Sequence, residues 1–520
     1  MGEQPQNSPL PTLEAGRKAA KRLGKALAAG EAEARARHRA VFGDRKDPAA
    51  ASHADCLHVI AREAGAESWP RLKIALEAAA LDRSQRVAAL ERAISNGNFP
   101  MVDRLLALDA GLVDAHLGLQ LAFAREAAVT AALDRDPAAA LRPIGRRWPI
   151  HHLVFSRLHQ REPAATARMV RLLDRLVAAG ADVNQGVPVE PGSDHTLSPL
   201  YGALGHAGNL ALAERLLALG ADPNDNESLY HATELDTLDG VRLLFAHGAV
   251  VGTTNAFHRM LDRESPEGVR LFFEHGAEPT TGLYAHPTGV RQDERTLLHH
   301  AIIRGRSAEI ATILLDHGVD PAATLDGRTS YALACIHGNR EIAELLAARG
   351  HATPLDAVER FLDRVMAGDG AAARRLLEAD RLIWQRLSTS DRTRQTELAM
   401  SADNLPVLRL MAELGFDPDL QGESGMPPIH AAAWWGHADI VEMYIGLGVD
   451  LEIVNMFGGT ALGTAVHGST NCPGRADGDY PRTVRLLVEA GAVIRPAHGD
   501  LEMGTEEVTA YLEDRLERRR

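Results

Sequence analysis

The stretch PPIHAAAWWGHADIVEMYIGLGVD, running from Pro427 to Asp450, decides the fold. Its prolines suit the first turn of a helix, where a missing N–H leaves no bond unmade. Ile429 and the alanines that follow give that helix a small apolar face that a neighbouring helix can approach closely. Gly436-His437 then opens a second helix, and Gly448 follows its last turn, where positive φ lets the chain reverse and cap the carbonyls. Asp450 suits the turn beyond. Two short helices with an apolar face can be stable only if neighbouring copies cover that face.

The second half of this phrase returns along the chain. It reads LVAAGADVN at Leu176–Asn184, LLALGADPN at Leu216–Asn224, LLFAHGA at Leu243–Ala249 and LFFEHGA at Leu271–Ala277. It continues as LLDHGVDP from Leu314, LLAARGH from Leu345, MAELGFDPD from Met411 and LLVEAGA from Leu486. The glycines fall about 28 to 43 residues apart with one double-length gap, a spacing near the ~33 of a helix-pair repeat. Inside that gap, Ala357–Asp380 reads as two helices split at Gly368-Asp369-Gly370. Ala89–Asp109 reads the same way, and Leu119–Asp136 is a poorer copy.

The first half recurs as Thr296-Leu297-Leu298-His299-His300-Ala301, and more loosely from Ser198, Thr329 and Thr460. These phrases, with Pro427–Ala433, resemble the T-P-L-H-x-A signature of the ankyrin-repeat family. The resemblance implies an all-α, ankyrin-type α-solenoid of about twelve helix–turn–helix repeats with short β-turn fingers. It also implies that His299 and His430 bond backbone in the turns. The units at Ala89 and Ala357 resemble opening repeats, which divides the chain into an array over 85–352 and another over 353–520, with a seam near Ala352-Thr353-Pro354. Thr505–Arg520 reads as a closing helix. Residues 1–84 are not repeat-like. There His53–Glu63 and Trp69–Ala80 read as a helix pair after a disordered start, and Val59–Glu63 with Ser68–Lys73 is similar to a helical module that precedes repeats in many bacterial ankyrin proteins. It reads as an N-terminal cap.

Bulk properties narrow the function. A chain of 520 residues exceeds one compact core, and 45% apolar with 24% charged side chains is the balance of a folded protein. The net charge of -14 disfavours general nucleic-acid binding, although Arg17, Lys18, Lys21, Arg22 and Lys25 make the first predicted helix basic. That helix reads as a solvated face. A helix-turn-helix DNA reader in the N-terminal helices is the weaker alternative, because the chain lacks an evident basic recognition helix. Cys56, Cys335 and Cys472 form no pair or ligand spacing, no signal segment opens the chain, and no apolar run is long enough for a membrane span. The expectation is a cytoplasmic protein without cofactor or metal.

Chemistry-bearing clusters are sparse. His53, Asp55, Cys56 and His58 lie within six residues, but His58 is rotated off the face that His53 and Cys56 share. The adjacent pairs His151-His152 and His299-His300 point to different faces. The irregular stretch 468–480 inserts about ten residues between the helices of its repeat, and such insertions are often functional. An enzyme, metal or small-ligand protein using residues 467–480 is therefore an alternative, although no oriented base or oxyanion donor accompanies Ser469 or Cys472.

The resemblance places partners on turn tips and first helices. In the best repeat the corresponding positions are Trp434 and Trp435, with Met426 at the tip, Met456 and Phe457 at the next tip, then His467 and Tyr480. These residue types anchor protein interfaces. Trp434 and Trp435 are expected to face solvent, with Trp435 equally able to fold beneath the insertion. Arg295, Ile303 and Arg304 form a more polar counterpart in the earlier array. The reading is a protein-interaction scaffold that performs no catalysis.

Overall fold

The computed structural model describes residues 12–51, 53–282, 295–401, 404–420, 426–472, 474–495 and 504–518. The start expected to be disordered, residues 1–11, and the last two arginines lie outside them. Contacts divide the chain into two compact units. One is Ala78–Ala334 with Asn339–Thr353, and the other is Met1–Glu77 with Cys335–Gly338 and Pro354–Arg520.

The first unit is a succession of helix pairs, from Arg83–Asn96 with Phe99–Leu108 through to Leu297–Ile303 with Ala308–Asp316, followed by Arg340–Ala348. The poorest sequence copy is a genuine pair, Leu117–Ala122 with Glu126–Arg135. The opening helix carries a capping box, in which Gln85 N–H donates to Asp82 (2.8 Å) and Asp82 N–H donates to the Gln85 side chain (2.9 Å). Leu172, Leu173, Leu216, Leu244, Ile310 and Leu314 are fully buried between pairs. Each such leucine contributes about 1.5–3 kcal/mol.

The repeat's glycine does what the sequence requires of it. Gly180 has φ 97°, and the next N–H, of Ala181, returns to Leu176 O at 3.0 Å. The asparagine four residues on ties one repeat to the next. Asn184 donates to Gly220 O (3.0 Å) and accepts from Asp222 N–H (2.8 Å). Asn224 repeats the clamp with Gly248 O (3.3 Å) and Val250 N–H (2.8 Å). An amide side chain can do both because it carries a donor and an acceptor.

In the second unit the pairs are Ala357–Met366 with Gly370–Ala379, Thr389–Ser401 with Leu405–Glu413, Pro428–Trp435 with Ala438–Gly446, and Ala461–Asn471 with Tyr480–Glu489. Asp356 and Glu359 form another capping box at the first helix of these pairs. The signature histidines behave as the resemblance implies. His430 Nε2 bonds Ile453 O at 3.0 Å, and in the first unit His299 Nε2 bonds Ala323 O at 3.2 Å.

The same unit holds four N-terminal helices, α1 (Leu13–Ala28), α2 (Ala32–Phe42), α3 (His53–Glu63) and α4 (Trp69–Ala80). Ala20, Leu23 and Leu27 of α1 join Leu57 and Ile60 of α3 and Trp69 of α4 in one apolar cluster, which also takes in Ala510 of the C-terminal helix Glu506–Arg518. That helix, expected to close the array with a polar outer surface, has Val508, Ala510 and Leu512 buried. Of the tempting quartet, Cys56 is buried in the cluster, Asp55 pairs with Lys46 and His58 lies 5.5 Å from the Phe42 ring, while the side chain of His53 lies outside the described residues.

Candidate protein-interaction surface

The turn between Ala438–Gly446 and Ala461–Asn471 is built on one buried side chain. Asn455 accepts at Oδ1 from Phe457 N–H and Gly459 N–H, both at 3.0 Å, and donates from Nδ2 to Thr464 Oγ1 at 3.1 Å. Its backbone closes the loop with Gly459 O (2.9 Å), and Gly458 supplies the positive φ of 77°. The turn is thus held firmly, yet Met456 and Phe457 at its tip are 66% and 80% exposed. Val454 on the same loop is 47% exposed.

The first-helix residues behind this tip differ among themselves. His467 is exposed, and its ring lies 5.6 Å from that of the half-buried Trp434. Close packing of their two helices depends on Gly468, where a Cβ would stand 2.4 Å from Trp434 O. Trp435 is half-buried and lies under the insertion, since a Cβ on Gly474 would meet its ring at 2.8 Å. It completes local packing and does not face open solvent.

Tyr480 requires a correction as a partner contact. Its side chain is 4% exposed, and its hydroxyl donates to Trp434 O at 2.6 Å. Burial, then the Cys472 thiol, push that hydroxyl far above its ordinary range. It is an internal strut. Met426 is half-buried and lines a shallow cavity with Arg392, Phe416 and Pro428. The insertion is also shorter as a loop than expected, because the Ala461–Asn471 helix continues through Gly468–Asn471 before the chain turns at Cys472.

Successive first helices of the other unit carry something the sequence reading missed. His231 bonds Glu227 (3.2 Å) and Glu234 (2.7 Å), and Glu234 pairs with Arg259 (2.9 Å) of the next repeat. Arg259 also meets Asp262 (2.9 Å), which takes His300 (2.9 Å) and Arg304 (2.6 Å) from the repeat after. Burial would lower His231, but its two carboxylates outweigh that and push it up to about 9. Burial would raise Asp262, yet His300, Arg304 and Arg259 hold it at about 2. The signal available in sequence was the i,i+3 and i,i+4 spacing of Glu227, His231 and Glu234. Arg304, the expected polar counterpart of Trp435, is committed to this ladder.

Beside the ladder, neither ring nitrogen of His258 has a hydrogen-bond partner among the described residues, and burial, then His300 and Arg295, push it down to about 3. Burial and Arg147 push His151 down to about 4. Among the described residues no group of His, Cys, Asp and Glu is arranged to hold a metal ion.

Comparison with known proteins agrees with the repeat structure. Family models described as ankyrin repeats match residues 257–355 and 397–445. The chain is similar to the ankyrin repeat protein nuc-2 of Neurospora crassa, 29% identical over 161 residues, which is 30% of this chain and 15% of that protein. It is also similar to protein phosphatase 1 regulatory subunit 12A of Mus musculus, 30% identical over 111 residues, covering 21% and 10% of the two chains. The chain therefore spans only a small part of these relatives. A solved human ASB11 ankyrin repeat domain aligns at 17% identity and a TM-score of 0.22, covering 46% of this chain and 98% of that one. From the phased glycines, the turn-bonding histidines and the family matches together, the chain carries ankyrin repeats in an all-α, ankyrin-type solenoid.

Proposed function

We propose that this chain is a protein-interaction scaffold that holds a partner on the tip and first-helix face of its C-terminal repeats, through Phe457, Met456, Trp434 and His467, without catalysing a reaction. The observation that carries this is the 80% exposure of Phe457 on a turn fixed by buried Asn455. Large apolar side chains on a rigid support lose little entropy on binding, which is what a hot spot requires. The turn's own chemistry does not demand them, because the equivalent tip at Leu325–Arg328 uses exposed Asp326-Gly327. One relative bears the name of a regulatory subunit, a description that fits a binding role.

We divide the chain into an N-terminal helical module (1–84), a first array (85–352) and a second array (353–520). A bacterial source rests on the Val59–Lys73 phrase. A cytoplasmic location is part of this reading, since Cys56, Cys335 and Cys472 are buried and far apart in sequence. No helix among the described residues is long and apolar enough to cross a membrane.

A photo-crosslinking residue placed at Met456, and separately at Asp326, tests the assignment in cells expressing the chain. A specific adduct from position 456 that disappears with Phe457→Ser, and none from 326, is the expected result. Adducts of equal yield from both positions, or one untouched by Phe457→Ser, would overturn it.

A further inference from the structure

Charge is segregated in this molecule. Residues 12–47 carry ten Lys and Arg against five Asp and Glu, a net of +5 in a chain whose net charge is -14. The segment is α1, a three-residue turn Ala29-Gly30-Glu31 with φ 79° at Gly30, α2, and the loop beyond. Both helices pack on α3. A short glycine-containing turn between two supported helices is the connection that presents a second helix to a DNA groove.

α2 is suited to that place. It buries only Ala34 and His38, and its outward side chains are Ala32, Glu33, Arg35, Ala36, Arg39 and Ala40. Alanine lets a helix backbone approach base edges closely, and arginine donates two parallel bonds to guanine. Eleven residues span ~16 Å, enough to lie in a major groove ~12 Å wide. Arg37 bonds Glu63 through two 2.7 Å contacts, which fixes α2 on α3. Arg22, Lys25, Arg35 and Arg39 have no ion-pair partner among the described residues. Arg22 and Lys25 lie on the last turns of α1, and the Arg35 guanidinium lies 3.1 Å from the Cβ position of Gly30, beside the same turn.

We infer that α1 and α2 form a docking surface for double-stranded DNA, with α2 in the major groove and Arg22 and Lys25 on flanking phosphates. The apolar face of α1, Ala20, Leu23 and Leu27, is already buried against α3, so α1 has no such face left to insert into a lipid bilayer. An RNA duplex has a deep, narrow major groove that would not admit α2. The acidic repeats do not cancel this local field, because charges farther than about 8 Å are screened at physiological salt.

The test is fluorescence anisotropy of the full chain with a labelled 20-base-pair DNA duplex, a matching RNA duplex, and phosphatidylserine vesicles as a third arm. The expectation is DNA binding that weakens with salt at a log–log slope of about -3 to -4, for the counterions displaced by the four cations Arg22, Lys25, Arg35 and Arg39. Arg35→Gln/Arg39→Gln should weaken binding at least tenfold with unchanged thermal unfolding, and Arg22→Gln/Lys25→Gln should reduce the slope by about half. The second pair keeps the test open if the first disturbs folding. No DNA binding at 50 mM salt, binding unaffected by both pairs, preference for the RNA duplex, or capture by vesicles alone would each overturn the inference.

Discussion

The two arrays share a repeat and use its exposed positions in opposite ways. In the first, the inner helices spend their charges on one another, Glu234 on Arg259 and Asp262 on His300 and Arg304. In the second, the matching region carries Trp434 and His467 behind an exposed Met456-Phe457 tip. The clamp between repeats changes as well. Asn184 and Asn224 each donate and accept, whereas Asp419 only accepts from Asp450 N–H (3.3 Å) and Glu452 from Val493 N–H (2.8 Å). A solenoid that is stable through neighbour contacts alone can leave its tips to function, and among the described residues only the second array presents apolar tips of this size.

Acid gives the largest expected separation of the two. His151, His152, His159, His206, His258 and His300 in the first array are all held below their ordinary range, chiefly by burial. Among the described residues the second array, 357–489, has one such group, His430. A histidine whose folded pKa is depressed stabilises the fold above its unfolded value of 6.5, and that stability drains away as pH falls towards the folded value. For His151, reaching about 4, the loss is about 3 kcal/mol, and His258 loses at least as much. His231 has the opposite sign, contributing fully below 6.5 and losing its part as pH rises through about 9. Hydrogen exchange should show amides of 83–348 losing protection between pH 6.5 and 4 ahead of those of 357–489, and His258→Leu should narrow the difference. Equal loss in both arrays would erase the comparison.

Asp262→Ala tests whether the ladder supports the first array. It removes the acceptor shared by His300, Arg259 and Arg304, and Arg304 has no other ion-pair partner among the described residues. Stranding these groups should cost about 2–3 kcal/mol, read from denaturant unfolding with the loss of protection confined to repeats between 228 and 316. A change below about 0.5 kcal/mol would reduce the ladder to ordinary surface pairing.

How much of this could be read in the sequence follows from the range of each interaction. The glycine after each second helix, the His299 and His430 turn bonds, and the helix pair at 53–63 and 69–80 are local and phased, so residues close in sequence announce them. The ladder joins residues such as Glu234 and Arg259, or Asp262 and His300, that meet only once repeats are stacked. Tyr480 looked like an anchor because its type is common at interfaces, but the path of the insertion carries it back 46 positions to Trp434 O. The same path covers Trp435 with Gly474. Neither follows from composition or period.

The clamp difference predicts a gain. Burial raises Asp419 above its ordinary range, and the neighbouring Asp417 and Asp450 charges add to this. Asp419→Asn removes the crowded charge and supplies the donor that Asn184 uses, so the second array should gain about 0.5–1 kcal/mol in chemical denaturation. No gain would mean that the carboxylate already bonds the clamp as well as an amide does.

The smallest expected effect is the most informative about function. Phe457 is 80% exposed, and Asn455 holds the turn through backbone N–H groups that a serine at 457 would retain. Phe457→Ser should therefore move unfolding by less than about 0.5 kcal/mol, the range of ordinary surface changes. Trp434→Ala should cost somewhat more, because its half-buried ring packs beside His467. If Phe457→Ser instead lost about 3 kcal/mol or more (what truncating a buried ring costs), its side chain would be packing within the chain in solution. The second array would then present the same self-satisfied surface as the first, and the exposed tip would lose its standing as a site for a partner.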